Sequence, residues 1–344
     1  MEPPPPYAPP YGIGTPGAAP AASQARAFLA SRGFPPGLAD VMIGNARESG
    51  ARHMLIDNSG SMSAPDGHVL QGAAGRERLV SCSRFAEVED MVLFHAELAV
   101  ALGAPATMRF LNQPRSGPQE VVVRTAEDVA ALRKSCASGP SGGTPICAHV
   151  RQIGQEIARD EAQLRASGKH AVLTIITDGL PTDGDLAEAM RPLSRLPVWV
   201  VVRLCTDDGE VVQFWSGLDA VVELEVDVLD DLAGEAAECA ACNRWLTYAP
   251  ELHRLREWGV HLKLLDLLDE RRLAPVEARD LCALILGGGP LPHPEADAAG
   301  FFAAVAERQR GLRLPYNPVR GRAHPWIDER RLRASVSGRL CTVQ

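Results

Sequence analysis

Between about residues 50 and 230 the chain alternates short apolar runs with longer amphipathic ones. Residues 53–56, ending in Met54-Leu55-Ile56, have the pattern of a buried strand, and residues 170–177, built on Ala171-Val172-Leu173-Thr174-Ile175-Ile176, that of a central parallel strand. Pro197-Val198-Trp199-Val200-Val201-Val202 opens a further buried strand. Residues 106–111 and 119–124 form a predicted hairpin at one edge, and Val222-Glu223-Leu224-Glu225-Val226-Asp227 alternates as a half-exposed strand near an edge does. Apolar positions at helical spacing predict helices over 78–102, 126–135, 145–166, 185–195 and 210–217. This alternation predicts an α/β fold, a doubly wound, mostly parallel sheet with helices on both faces.

The flanks differ in pattern. Residues 1–22 are rich in Pro, Ala and Gly and are expected to be a disordered tail. A short helical lead-in is expected over 23–48, with Ala25, Phe28 and Leu29 on one side, a stop at Gly33, and a second turn at Leu38, Val41 and Met42. The α/β domain is placed at 50–230 and a helical extension at 231–312, with Trp245, Leu252, Leu255, Trp258, Leu281, Ile285, Phe301 and Val305 on its apolar faces. Residues 313–344, carrying Arg320, Arg322, Arg330, Arg331, Arg333 and three prolines, are expected to be an irregular tail.

Composition narrows the function classes. The net charge of −8 argues against general attraction to nucleic acid or to an anionic membrane. No apolar run approaches the ~20 residues a membrane span needs, and MEPPPPYAPPYG has no signal pattern. Eight cysteines spread through the apparent helices and strands suggest reduced thiols rather than a disulfide framework. A cytoplasmic location is expected, a nuclear one being compatible. The absence of G-x-x-x-x-G-K-[ST] excludes a P-loop nucleotide site.

The chemistry sits in three short segments. Asp57 stands at the C-terminal end of the first strand, and Ser59 and Ser61 follow at alternate positions with Gly60 between them. Thr144, in Gly142-Gly143-Thr144-Pro145, lies at a loop-to-helix junction where Pro145 suits a first helical turn. Asp178 ends the central strand. Ligands of open α/β sheets gather beyond the C-terminal ends of the strands, so the three segments can converge. One carboxylate and several neutral hydroxyls are hard donors suited to Mg²⁺, with Mn²⁺ and Ca²⁺ as alternatives, and they leave the ion electron-poor.

Asp57, Ser59, Ser61, Thr144 and Asp178-Gly179 resemble, position by position and in order, the metal-ion-dependent adhesion site of von Willebrand factor type A domains. The resemblance covers roughly residues 50–230. It implies that Ser59 and Ser61 bind the ion directly, and that Thr144 and Asp178 bind it directly or through water according to state. It also implies a non-enzymatic role, in which an Asp or Glu of a partner protein completes the coordination. The other reading kept open is a scaffold subunit of an ATPase, chelatase or ubiquitin-ligase assembly, docking through the helical extension. A metal-assisted hydrolase would need a general base, for which His149 and His170 are the nearby histidines by sequence.

Further motifs have plainer readings. Gly139-Pro140-Ser141-Gly142-Gly143 matches a nucleophile elbow, but a helix pattern precedes it where an elbow needs a strand. Cys239 and Cys242 have zinc-type spacing without a second ligand pair, which suits core cysteines better. Pro4-Pro5-Pro6-Tyr7 matches the P-P-x-Y ligand of WW domains. Asp66, Asp183 and Asp207, with Asp185 and Asp208, are expected near the C-terminal rim, as solvated loop acids or as ligands of a second ion.

Overall fold

The structure, a computed structural model, describes residues 19–337 apart from 219–221 and 223. The P-P-x-Y motif at Pro4, Pro5 and Tyr7 lies outside the described residues. Along the chain the strands are β1 (Ser49–Ile56), β2 (Gly67–Gln71), β3 (Arg78–Cys82), β4 (Ala106–Phe110), β5 (Glu120–Val123), β6 (His170–Thr177), β7 (Val198–Leu204), β8 (Val226–Leu229), β9 (Tyr316–Asn317) and β10 (Arg322–Ala323). Six of them form one sheet in the order β5-β4-β1-β6-β7-β8. All neighbours are parallel except β4 and β5, which pair antiparallel at the edge. The connections run outward in opposite directions from the β1–β6 pair, so the chain reverses its winding there. That reversal opens a crevice beyond the C-terminal ends of β1 and β6.

The helices are α1 (Ala19–Ser31), α2 (Pro36–Glu48), α3 (Arg84–Leu102), α4 (Ala126–Cys136), α5 (Ile146–Ala166), α6 (Leu186–Met190), α7 (Gly209–Ser216), α8 (Leu232–Cys242), α9 (Pro250–Glu257), α10 (Lys263–Glu270), α11 (Pro275–Leu286), α12 (Ala298–Gln309) and α13 (Glu329–Ser337). Successive strand residues point to opposite faces, and β1 divides accordingly. Leu55 joins Ile153, Ile175, Val202 and Trp215 on the face covered by α5, α6 and α7. Met54 and Ile56 join the other core, with Val92, Trp258, Leu281, Phe301 and Trp326. The helical extension therefore shares a core with the sheet.

A buried polar seam joins the two parts. The Thr174 hydroxyl donates to the Glu257 carbonyl at 3.1 Å, and Arg52 Nε donates to the Trp258 carbonyl at 3.1 Å. Gly259, at φ +85°, lies against β6, where a Cβ would meet Val172 Cγ1 at 2.4 Å. The Glu257 carboxylate is fully buried and meets Arg254 at 3.0 Å, His95 at 3.1 Å, His253 at 3.3 Å and Arg203 at 3.5 Å. Burial alone would raise this carboxyl, but Arg254, His253 and His95 hold it well below the usual carboxylate range. These contacts tie α3, β7 and α9 into one unit.

Several expectations are corrected. The first described helix begins at Ala19, inside the segment expected to be disordered, and α2 is a full helix of 13 residues rather than a turn. Residues 78–82 are strand β3, paired with β2, and the helix begins only after Ser83, whose hydroxyl accepts from the Ala86 N–H. The two strands are only five residues each and half-exposed, which concealed the hairpin. Residues 185–195 break into α6 and a 3₁₀ turn (Arg191–Arg195) that Pro192 enforces. The edge strand falls at Val226–Leu229, later than the alternation suggested.

Residues 313–337 are not an irregular tail. Trp326, Ile327, Leu332 and Val336 are buried, and α13 follows a β9–β10 hairpin. Backbone bonds from Thr247 to Trp326 (2.9 Å) and from Asp328 to Trp245 (2.7 Å) fasten the segment. Its four apolar anchors are few among arginines and prolines, too short a pattern to stand out in the sequence. Arg313 pairs with Glu77, Arg320 and Arg331 reach Asp328, and Arg333 lies over the Phe302 ring. Among the described residues no helix is long and apolar enough to cross a membrane.

Glu251, in the first turn of α9, is 7% exposed, and its Oε2 has no hydrogen-bond partner. Burial raises its carboxyl from 4.5 to about 7. Its contribution is therefore full below about pH 4.5 and is lost as pH rises through about 7. Glu251→Gln is expected to gain roughly 2 kcal/mol more relative to the native chain at pH 8 than at pH 5, read by urea unfolding at both pH values. An equal effect at both would contradict this.

Candidate metal centre at the carboxyl rim of the sheet

β1 and β6 end side by side at the crevice. The Asp57 N–H donates to the Ile176 carbonyl at 2.9 Å, extending the pairing one residue past β1. Asp57 is fully buried. Its Oδ1 accepts from the Ser59 N–H at 2.8 Å and its Oδ2 from the Thr177 hydroxyl at 2.7 Å. Burial still pushes its carboxyl above the ordinary value, with Asp178 nearby adding to the rise. The loop then turns through the 3₁₀ segment Gly60–Ser63, anchored by the buried Met62. The Ser59 and Ser61 hydroxyl oxygens lie 3.0 Å apart, and the Ser61 hydroxyl donates to Asp178 Oδ1 at 2.8 Å. Four predicted residues, Asp57, Ser59, Ser61 and Asp178, thus lie in one hydrogen-bonded chain, joined through the Ser59 N–H and the two hydroxyls. Ser61, between Ser59 and Asp178, is its exposed member.

The loop carrying Thr144 is tied to the first loop through backbone. The Gly60 N–H donates to the Gly142 carbonyl at 3.1 Å and the Ser141 N–H to the Asn58 carbonyl at 2.6 Å. Asn58 and Asn112 lock the arrangement. Asn58 Nδ2 donates to the Asn112 carbonyl at 3.0 Å, Asn58 Oδ1 accepts from the Asn112 N–H at 2.8 Å, and Asn112 Nδ2 donates to the Gly143 carbonyl at 2.7 Å. Thr144 is 7% exposed and is held from the Asp178 side by Thr182, whose Oγ1 accepts from the Thr144 N–H at 3.2 Å. The return bond runs from the Thr182 N–H to the Thr144 carbonyl at 3.0 Å.

The donor set is chemically suited to a hard divalent ion. Asp57, Ser59, Ser61 and Asp178 offer two carboxylates and two hydroxyls, Thr144 is tied to the same loops through its backbone, and Asp57, buried beside Asp178, is the group that a cation would stabilise most directly. Among the described residues no cluster of three or more His, Cys, Asp or Glu side chains is placed to hold a metal. Asp66, Asp183 and Asp207 are not brought together in such a cluster. Asp66 pairs with Arg84, while Asp183 accepts from the Cys147 and Ala148 N–H groups at 3.0 and 2.8 Å and so caps α5. Asp207 is exposed.

Arg84, Thr177, Thr182, Asn58 and Asn112 were not found from the sequence. Arg84 Nη1 donates to Asp178 Oδ2 at 2.9 Å across 94 positions of chain, a relation no local pattern carries. His149 Nε2 is 3.0 Å from the Leu111 carbonyl, and His170 opens β6, at the opposite end of the strand from Asp178. Ser141 follows α4 and a short loop rather than a strand. Cys239 is buried in α8, and Cys242 contacts the Asp269 carbonyl at 3.0 Å.

No family model matches the chain, and no curated protein matches it. Among solved structures, the conserved hypothetical protein BatB from Bacteroides thetaiotaomicron is similar to it with a TM-score of 0.35 and 12% identity, over 60% of this chain and 100% of that one. The reading of the site stands on its own geometry.

Gly142 has φ +93°, and a Cβ there would meet Asn112 Oδ1 at 2.5 Å. Gly142→Ala is expected to cost about 1–3 kcal/mol and to displace the Thr144 loop. Thermal unfolding together with Mn²⁺ titration checks this, and native stability with native Mn²⁺ affinity would contradict it.

Proposed function

We propose that this chain is a metal-ion-dependent protein-binding module. A divalent cation, Mg²⁺ in the first instance, is held by Ser59 and Ser61 with Asp57, Thr144 and Asp178, and it takes up an acidic side chain of a partner protein. The observation that carries the reading is the hydrogen-bonded chain from Asp57 through Ser59 and Ser61 to Asp178 at the point where the sheet reverses its winding. When bound, the cation supplies an electron-poor centre that accepts an anionic oxygen. The chain's own residues orient that centre. Thr177 and the Ser59 N–H fix the Asp57 carboxylate, and the Asn58–Asn112 pair sets the distance between loops. The match to the type A domain motif, residue by residue, supports the same role.

The surface beside the centre suits a protein partner. Leu180, two residues past Asp178, is 42% exposed, and Phe214 on α7 is 37% exposed. The next residue, Trp215, is anchored by its Nε1–H donating to the Gly179 carbonyl at 3.2 Å, which brings Phe214 to the same rim. Apolar side chains beside a polar anchor are a common composition for an interface. Docking through the helical extension finds less support, because its apolar faces (Leu255, Trp258, Leu281, Phe301) are spent in the shared core. We place the protein in the cytoplasm and assign it no catalysis. Its seven described cysteines are free, and neither His149 nor His170 is set as a base at the centre.

The test is thermal unfolding with and without Mg²⁺ or Mn²⁺. A cation that binds only the folded state raises its stability by RT ln(1 + [L]/Kd), about 2.7 kcal/mol at a hundredfold excess over Kd. The native chain is expected to show this gain and Asp57→Asn to lose it, with metal-free stability unchanged or raised because a buried charge is removed. No shift in the native chain, or an equal shift in both, would contradict the proposal.

A further inference from the structure

Arg84 is the first residue of α3, and it reaches the centre across the mouth of the β2–β3 hairpin. The hairpin brings its two ends together. The Arg84 N–H donates to the Ala64 carbonyl at 3.0 Å, and Gly67 pairs with Cys82. Asp66 and Arg84 therefore face each other at its base. Arg84 Nε and Nη2 grip Asp66 as a fork, at 2.7 and 2.6 Å, while Nη1 donates to Asp178 Oδ2 at 2.9 Å. The Asp178 side chain is 0% exposed, that of Arg84 15% and that of Asp66 51%.

We propose that the Arg84–Asp66 pair sets how tightly the centre holds its cation. Arg84 competes for Asp178, and Asp66 holds Arg84 back. This rests on the reading of the centre as a divalent-cation site. Arg84 already engages one oxygen of the Asp178 carboxylate, so an arriving dication meets a ligand whose charge is partly answered by a fixed positive neighbour. Repulsion between the two cations is felt strongly because Asp178 is shielded from water. Asp66 offsets it only in part, because its exposed carboxylate is screened by solvent. The outcome is a weakly held, electron-poor ion that keeps its appetite for an external carboxylate. A guanidinium suits the task because it cannot lose its proton and grips a carboxylate with two parallel bonds. The hairpin, lying between the serine loop and α3, is the element that delivers the pair.

The experiment is Mn²⁺ binding to the full chain, by electron paramagnetic resonance of the free ion and by calorimetry. Metal-free melts are run on each variant to confirm folding. Arg84→Gln is expected to bind Mn²⁺ on the order of tenfold more tightly, and Asp66→Asn several-fold more weakly. The double variant should lie within about threefold of Arg84→Gln, because Asp66 acts through Arg84. Arg84→Lys, which keeps the charge but loses the fork on Asp66, should fall between the native chain and Arg84→Gln. A merely structural role for Arg84, as a prop for Asp178, gives the opposite sign. Arg84→Gln binding Mn²⁺ equally or more weakly, while the native chain binds it, overturns this inference and leaves the metal reading standing. Failure of the native chain to bind Mn²⁺ overturns the metal reading, and this inference with it.

Discussion

Two carboxylates buried side by side, with too little positive charge to answer both, are the constraint on which the rest of this structure turns. Asp57 and Asp178 follow adjacent parallel strands, and the sheet's reversal of winding between those strands leaves space above them. Asp57 extends the pairing of β1 with β6 by one bond, and Asp178 is the residue after β6. Their charge must be met in place, and the fold supplies hydroxyls, backbone N–H groups and one guanidinium to do it. That partial answer differs from an ordinary buried ion pair, in which each charge has its partner, and it is what the proposed cation would complete.

The rest of the chain holds this arrangement rigid. β1 and β6 are buried along most of their length on both faces, one covered by α5, α6 and α7 and the other by α1 to α4 and the C-terminal helices. The Glu257 cluster couples that second layer to β7 and α3, whose first residue is Arg84. The helical extension is therefore a wall of the domain that carries the centre. Its rigidity is passed to the rim through α3, the helix that also carries the far end of the β2–β3 hairpin.

The parts legible in the sequence were those that local pattern encodes. Apolar runs placed β1, β6 and β7, and of the five residues named from the motif, Asp57, Ser59, Ser61 and Asp178 are joined by hydrogen bonds just past β1 and β6. The hairpin was missed because its strands are five residues each and half-exposed. The C-terminal segment was missed because Trp326, Ile327, Leu332 and Val336 find their partners in α8 to α12 rather than in their own period. Arg84 was invisible for the same reason at greater range, since its meaning depends on a carboxylate 94 positions away. Asp183 looked like a rim ligand and proved to be a cap for α5, a role set by where Cys147 happens to sit.

The most direct test of the central claim is a crystal of the full chain soaked in Mn²⁺ and measured for anomalous scattering. The account places one peak per chain at bonding distance, roughly 2.0–2.3 Å, from the hydroxyl oxygens of Ser59 and Ser61, with Asp57, Thr144 and Asp178 around it. A peak bound elsewhere with this cluster empty, or no peak at all, would contradict it.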